Sequence, residues 1–149
     1  MLKRLILFTI INFGALALGG IFTPSGISSD WYQELNKAPW TPPGWVFGFA
    51  WTTIMICLSI FMAFMLKTWD KTLVRLYSLQ LILNVLWTPT FFYFHQPALG
   101  LIIIVSLTVL IGLLMAKYSN KNFFYLLLAP YFIWLCIATS LNTFVTLYN

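Results

Sequence analysis

The chain has 149 residues, of which 61% are hydrophobic and only 7% charged. A soluble domain carries about 25% charged residues, so this composition cannot cover a water-facing globule and reads as one integral membrane domain over 1–149. Eight basic and three acidic residues give a net charge of +5, but they are scattered between apolar runs. No clustered basic face forms, so no nucleic-acid partner is expected.

A spanning helix needs about 20 mostly apolar residues. Five segments qualify, at about 5–22, 45–66, 73–94, 98–116 and 123–147. The expected fold is an all-α membrane protein, a bundle of five transmembrane helices with a long ordered loop between helices 1 and 2. "MLKR" before the first run resembles the start of a secretory signal. The run is long for one and no clear cleavage site follows, so it is read as a true helix. Asn12 stands alone in it and reads as a helix-gluing amide.

The loop, about 23–44, runs into "WYQELNKAPWTPPGWVFGFAW", which holds four of the seven tryptophans and three of the seven prolines. That content argues against disorder. Pro39, Pro42 and Pro43 stiffen it, and "TPPGW" reads as a helix entry. An ordered cap over the outer end of the bundle is expected. Trp40 and Trp45 flank the start of helix 2, where an interfacial belt is usual. Trp51 lies roughly 9 Å further in at 1.5 Å per residue, which is deep for a belt, and it shares a face with Phe47 and Met55.

In helix 3, "QLILNVLWTPTFF" sets Gln80, Asn84, Trp87 and Phe91 on one face. In helix 5, "PYFIWLCIATSLN" does the same for Pro130, Trp134, Ala138 and Asn142. An unpaired amide in hydrocarbon is costly, so Asn84 and Asn142 should point inward. Whether Asn84 glues helices or meets a ligand stays open at this level. Pro89 and Pro130 remove backbone donors and are expected to kink helices 3 and 5. Trp51, Trp87 and Trp134 are expected to line a flat apolar cavity beneath the loop, suited to a large planar ligand. Ala138 shares the Trp134 face and its small size leaves room for a ring.

Seven of the eight basic residues fall on one side: Lys3, Arg4, Lys67, Lys71, Arg75, Lys117 and Lys121. Lys37 sits on the other side with Asp30 and Glu34. The positive-inside rule then puts the N-terminus in the cytoplasm and the first loop outside a bacterial-type plasma membrane. Trp69, in the basic turn, reads as a cytoplasmic anchor. All three acids are in loops, His95 lies at the helix 3–4 turn as a solvated residue, and Cys57 and Cys136 sit in apolar runs. That leaves no metal spacing, no conventional acid–base catalyst and no coupling residue for a proton-driven pump. Neither a cofactor nor a metal is expected.

"WYQELNKAPWTPPGWVFGFAW", "QLILNVLWTPTFF" and "PYFIWLCIATSLN" together resemble the signature segments of the TspO/MBR family, the tryptophan-rich sensory and translocator proteins, in order and through all five spans. The resemblance suggests a bacterial member. It implies a five-helix bundle, often a homodimer paired through helix 3, with a pocket opening toward the first loop. It also implies binding of porphyrins, notably protoporphyrin IX, and of isoquinoline carboxamides and benzodiazepines. By the family motifs, Tyr32 and Trp40 fall near the pocket mouth, and Trp51, Asn84, Trp87, Trp134 and Ala138 at the ligand site. Phe47 and Phe91 are walls by position. Two features depart from the pattern. "KAPW" stands where many relatives have proline directly after lysine, and "LNTFVTLYN" lacks the basic residue of the sterol consensus.

The resulting expectation is a membrane receptor or sensor for porphyrins. One alternative is light- and oxygen-dependent degradation of protoporphyrin IX, with Trp51 and Trp134 as candidates for the redox chemistry. The other is transport of porphyrins or other lipophiles, for which no inverted repeat or coupling residue is visible. Ala15 and Gly19 offer a small-residue pair for close helix approach.

Overall fold

The computed structural model describes residues 1–67, 70–120 and 123–149, and all regular structure among them is helical. In chain order the helices are α1 (Leu2–Gly20), α2 (Thr23–Ile27), α3 (Asp30–Glu34), α4 (Gly44–Met65), α5 (Lys71–Phe92), α6 (Pro97–Ser119) and α7 (Ala129–Tyr148). A 3-10 turn over Phe123–Leu128 leads into α7. Four helical stretches, Leu2–Ile27, Gly44–Met65, Pro97–Ser119 and Phe123–Tyr148, are long and apolar enough to cross a membrane. The chain is an integral membrane protein.

With 22 residues, α5 matches α4 in length, yet its composition does not mark it as a span. The cause is the polar set that begins with Lys71 and Arg75 and continues with Tyr77, Gln80 and Asn84. The last three are buried inside the bundle. A helix packed on several sides can hide polar residues that would be costly against lipid.

The long helices close a ring. α1 packs on α4 and α5, α5 on α6, α6 on α7, and α7 with its 3-10 turn on α4. At one end Arg4 Nη1 donates to the Leu66 carbonyl at 2.8 Å, which satisfies an orphan carbonyl at the α4 C-terminus. Asp70 caps α5 by accepting from the amides of Thr72 (2.9 Å) and Leu73 (3.1 Å). Its other oxygen accepts from Tyr118 at 2.8 Å, which ties in α6. Trp69 and Lys121 lie outside the described residues.

Midway along the bundle a buried triad joins three helices. Asn12 of α1 donates to Ser59 of α4 at 2.9 Å and accepts from Tyr77 of α5 at 2.7 Å. This is the gluing role expected for Asn12. Asn12→Ala leaves two buried hydroxyls without this partner. Each orphaned group costs about 1–3 kcal/mol in a soluble core, but hydrogen bonds between membrane helices average only about 0.6 kcal/mol. The expected loss is therefore about 1–2 kcal/mol, read as a lower melting temperature in detergent. A melting temperature equal to that of the unchanged protein would show that the triad contributes nothing.

Two sequence expectations change. Pro130 falls in the first turn of α7, where a missing amide proton breaks no helical bond. The expected kink there is instead a change from 3-10 to α geometry at Leu128. Gly19 is buried within the bundle, facing Thr88 of α5. The Ala15/Gly19 pair therefore serves packing and cavity walls inside one chain rather than an outer contact face.

The first loop is ordered, as expected, and is built from the short helices α2 and α3 followed by an extended stretch. Gly26 presses on α5 so closely that a Cβ would collide with the Phe92 ring, so only glycine fits there. Ser29 caps α3 by accepting from the Tyr32 amide at 3.2 Å. The Asn36 amide donates to Asn149 Oδ1 at 2.8 Å, and Asn149 Nδ2 returns a bond to the Asn36 carbonyl at 3.2 Å. This clasp fixes the loop to the end of α7.

Candidate functional site

The contacts between α1 and α4 run from Arg4–Leu66 to Asn12–Ser59. Beyond them the facing residues are small: Ala15, Gly19 and Gly20 on α1, and Gly44, Gly48 and Thr52 on α4. The space they leave is a cavity of about 560 Å³ between α1, α4 and α5, roofed by Ile27 and Tyr32 of the loop. Small-molecule sites typically measure about 300–1,000 Å³. Gly20, Gly44 and Gly48 are exposed at its rim, and a Cβ on any of them would meet nothing within 4 Å. The cavity thus opens sideways between α1 and α4, past a rim of exposed glycines.

Its inner wall is aromatic. Phe47 and Trp51 come from α4, and Trp87 and Phe92 from α5, with the Asn84 amide among them. Two smaller cavities, of about 30 and 70 Å³, lie on the far side of this wall, and Phe47 and Trp87 border all three. Trp87 is held in place from both sides. Its Nε1 donates to Asn142 Oδ1 at 3.1 Å, and its ring stacks on Phe91 at 5.3 Å. Asn142 in turn donates to the Pro97 carbonyl at 2.8 Å, so one amide joins α5, α6 and α7. The fit depends on Gly100, where a Cβ would lie 3.1 Å from Asn142 Oδ1 and 3.6 Å from Trp87 Nε1. Trp51 meets Tyr131 edge to face at 6.0 Å, and the Tyr131 hydroxyl donates to Gln80 Oε1 at 3.2 Å.

The residues singled out from the sequence separate into groups. Tyr32, Phe47, Trp51, Asn84 and Trp87 border the large cavity. Trp134 borders only the 30 Å³ cavity, edge to face with Phe47 at 5.1 Å. Ala138 borders both small cavities, and Phe91 the 70 Å³ one. Trp51, Trp87 and Trp134 share the 30 Å³ cavity with Phe47, Asn84 and Ala138, whereas the 560 Å³ cavity is bordered by Trp51 and Trp87 without Trp134. Trp40 borders none of the three. It is exposed, donates to Ser140 Oγ at 3.1 Å and meets Phe144 edge to face on the outside of α7. His95 is exposed, adopts a φ of 52° and stacks on Trp31 at 4.3 Å.

Sequence reasoning passed over Lys37, Phe92 and the small α4 residues. Lys37 borders the 70 Å³ cavity, and its Nζ stands 4.3 Å from the centre of the Tyr32 ring. Burial pushes the Tyr32 phenol above its ordinary value. Gly44, Gly48 and Thr52 repeat every four residues, a visible signal of a helix face left open. Among the described residues no group of three or more His, Cys, Asp or Glu is placed to hold a metal ion. The cavity walls offer aromatic faces, one free amide edge and, at the mouth, one cation. They can bind and orient a flat apolar molecule, and they offer no pair for acid–base chemistry.

These features define a helical membrane protein with an aromatic-walled cavity beneath a structured loop. Residues 6–148 match the model of the TspO/MBR family, and the chain belongs to that family. It is 37% identical to the tryptophan-rich protein TspO of Chlorobaculum tepidum over 130 residues, 83% of this chain and 82% of that one. It is 34% identical to the tryptophan-rich sensory protein of Cereibacter sphaeroides over 115 residues, 76% and 73% of the two chains. To the human translocator protein it is 32% identical over 119 residues, 75% and 70% of the two chains.

Proposed function

We propose that this protein is a membrane receptor that binds porphyrins, protoporphyrin IX among them, and synthetic translocator-protein ligands in the 560 Å³ cavity. In this reading α5 is the fifth transmembrane helix, the Arg4 end is cytoplasmic in a bacterial plasma membrane, the first loop is external, and the protein works as a homodimer. The supporting observation is the cavity itself: Trp51, Trp87, Phe47 and Phe92 give a planar ligand faces and edges to pack against. A titration of protoporphyrin IX against tryptophan fluorescence tests it. Quenching should be saturable, and Trp51→Ala should weaken binding by about 1–3 kcal/mol, the usual worth of one aromatic stacking partner. Trp40→Phe, outside the cavity, should leave the affinity unchanged. Equal affinity in the unchanged protein and Trp51→Ala would place the ligand elsewhere.

Light- and oxygen-dependent porphyrin degradation is the second reading. The observation that favours it is the indole of Trp51 on the cavity wall, within reach of a bound photosensitiser. Trp134 stands behind Phe47 and is the weaker candidate. A discrete product after illumination, lost in Trp51→Phe, would support the enzyme; featureless bleaching would count against it.

A further inference from the structure

We infer that Lys37 is the specificity-determining residue of this cavity, favouring flat lipophiles that carry a carboxylate over their neutral counterparts. The inference rests on the proposed porphyrin site and adds the chemical feature recognised there. Lys37 Nζ lies 4.3 Å from the Tyr32 ring centre. Lys37 borders the 70 Å³ cavity, which shares Tyr32, Thr41, Phe47, Trp87 and Phe92 with the 560 Å³ cavity. A cation held over an aromatic face keeps its three N–H donors for a further acceptor. Lys37 forms no ion pair among the described residues, although Asp30 and Glu34 belong to the same loop.

The backbone on either side of Lys37 is anchored. Asn36 is clasped to Asn149, and Ala38 is buried, with its carbonyl accepting from the Thr41 amide at 2.9 Å. Between these anchors the lysine stem runs over Tyr32 at the edge of the 70 Å³ cavity. The other residues lining the 70 Å³ cavity, Thr41 and Asn142 among them, are neutral. A flat ligand seated against Trp87 and Phe92, with an acidic edge at Tyr32, would meet this ammonium in a partly wet setting. There a charge-assisted bond forms without full desolvation of the carboxylate.

The test compares protoporphyrin IX with its dimethyl ester in nanodiscs of zwitterionic lipid, so that headgroup charge is not a variable. Binding is measured for the unchanged protein, Lys37→Met and Lys37→Arg. The acid should bind the unchanged protein about two- to fivefold more tightly than the ester, the worth of one partly exposed charged contact. Lys37→Met should remove that preference by weakening the acid alone, and Lys37→Arg should keep it. An acid-to-ester ratio unchanged in Lys37→Met overturns the inference while leaving the porphyrin site standing. Equal weakening of both ligands also overturns it, because the lysine would then act only by packing the loop. Failure of both ligands to bind the unchanged protein removes the porphyrin reading and this inference with it.

Discussion

Gly48→Leu should abolish most porphyrin binding while leaving the ligand-free protein as stable as before, or more so. Gly48 is on the cavity side of α4, and a Cβ there would meet nothing within 4 Å. Leucine adds four heavy atoms to a space the ligand would fill. Against a bound ring this is overpacking, worth about 1–3 kcal/mol, or roughly thirtyfold at its middle. Without ligand the same change replaces a poor helix former by a good one, a gain of up to about 1 kcal/mol. The two effects have opposite signs, which general misfolding cannot imitate. Full affinity in Gly48→Leu would move the ligand to the far side of Phe47, among Trp134 and Ala138.

Gly100→Leu should strongly destabilise the junction of α5, α6 and α7. A Cβ at this position would stand 3.1 Å from Asn142 Oδ1 and 3.5 Å from the Phe91 ring, which leaves no room for a branched side chain. Asn142 must move, which breaks its bonds to Trp87 and to the Pro97 carbonyl. Overpacking of about 1–3 kcal/mol and a buried hydrogen bond of about 1 kcal/mol together predict a loss of about 2–4 kcal/mol. Thermal melting in detergent reads it directly. Gly100→Ala should cost clearly less, since a single methyl needs only a small shift of the Asn142 amide. If Gly100→Leu melts like the unchanged protein, the junction of α5, α6 and α7 is looser than these distances indicate.

The long helices were legible because an apolar run of membrane length admits few other structures. α5 was legible in the same way, as the run at about 73–94, and its inward face from the spacing of Gln80, Asn84, Trp87 and Phe91, which the bundle buries or sets against the cavities. The same spacing rule placed Trp134, Ala138 and Asn142 on one face of α7. It could not say which of three spaces each would border, because that depends on how the Phe47 ring packs against Trp134 across two helices. The loop helices α2 and α3 have five residues each, too few for a periodic pattern. Their position is set by distant contacts, Gly26 on Phe92 and Asn36 on Asn149, which no local signal encodes. Trp40 shows the same limit. Its motif position suggested the pocket mouth, yet its indole bonds to Ser140 on the outer face of α7.

The sideways opening between α1 and α4 changes what an affinity measurement on this protein means. In the proposed membrane placement its rim, Gly20, Gly44 and Gly48, is open toward lipid rather than closed by protein. A lipophilic ligand dissolves in the membrane first, so the concentration that governs occupancy is its mole fraction among lipids. Constants quoted per litre of buffer will then drift as the ratio of lipid to protein changes, without any change in the site. Titrations at two lipid loadings should disagree in molar units and coincide when expressed per lipid. The arrival rate should follow lateral diffusion and membrane fluidity, and be far less sensitive to the viscosity of the surrounding water.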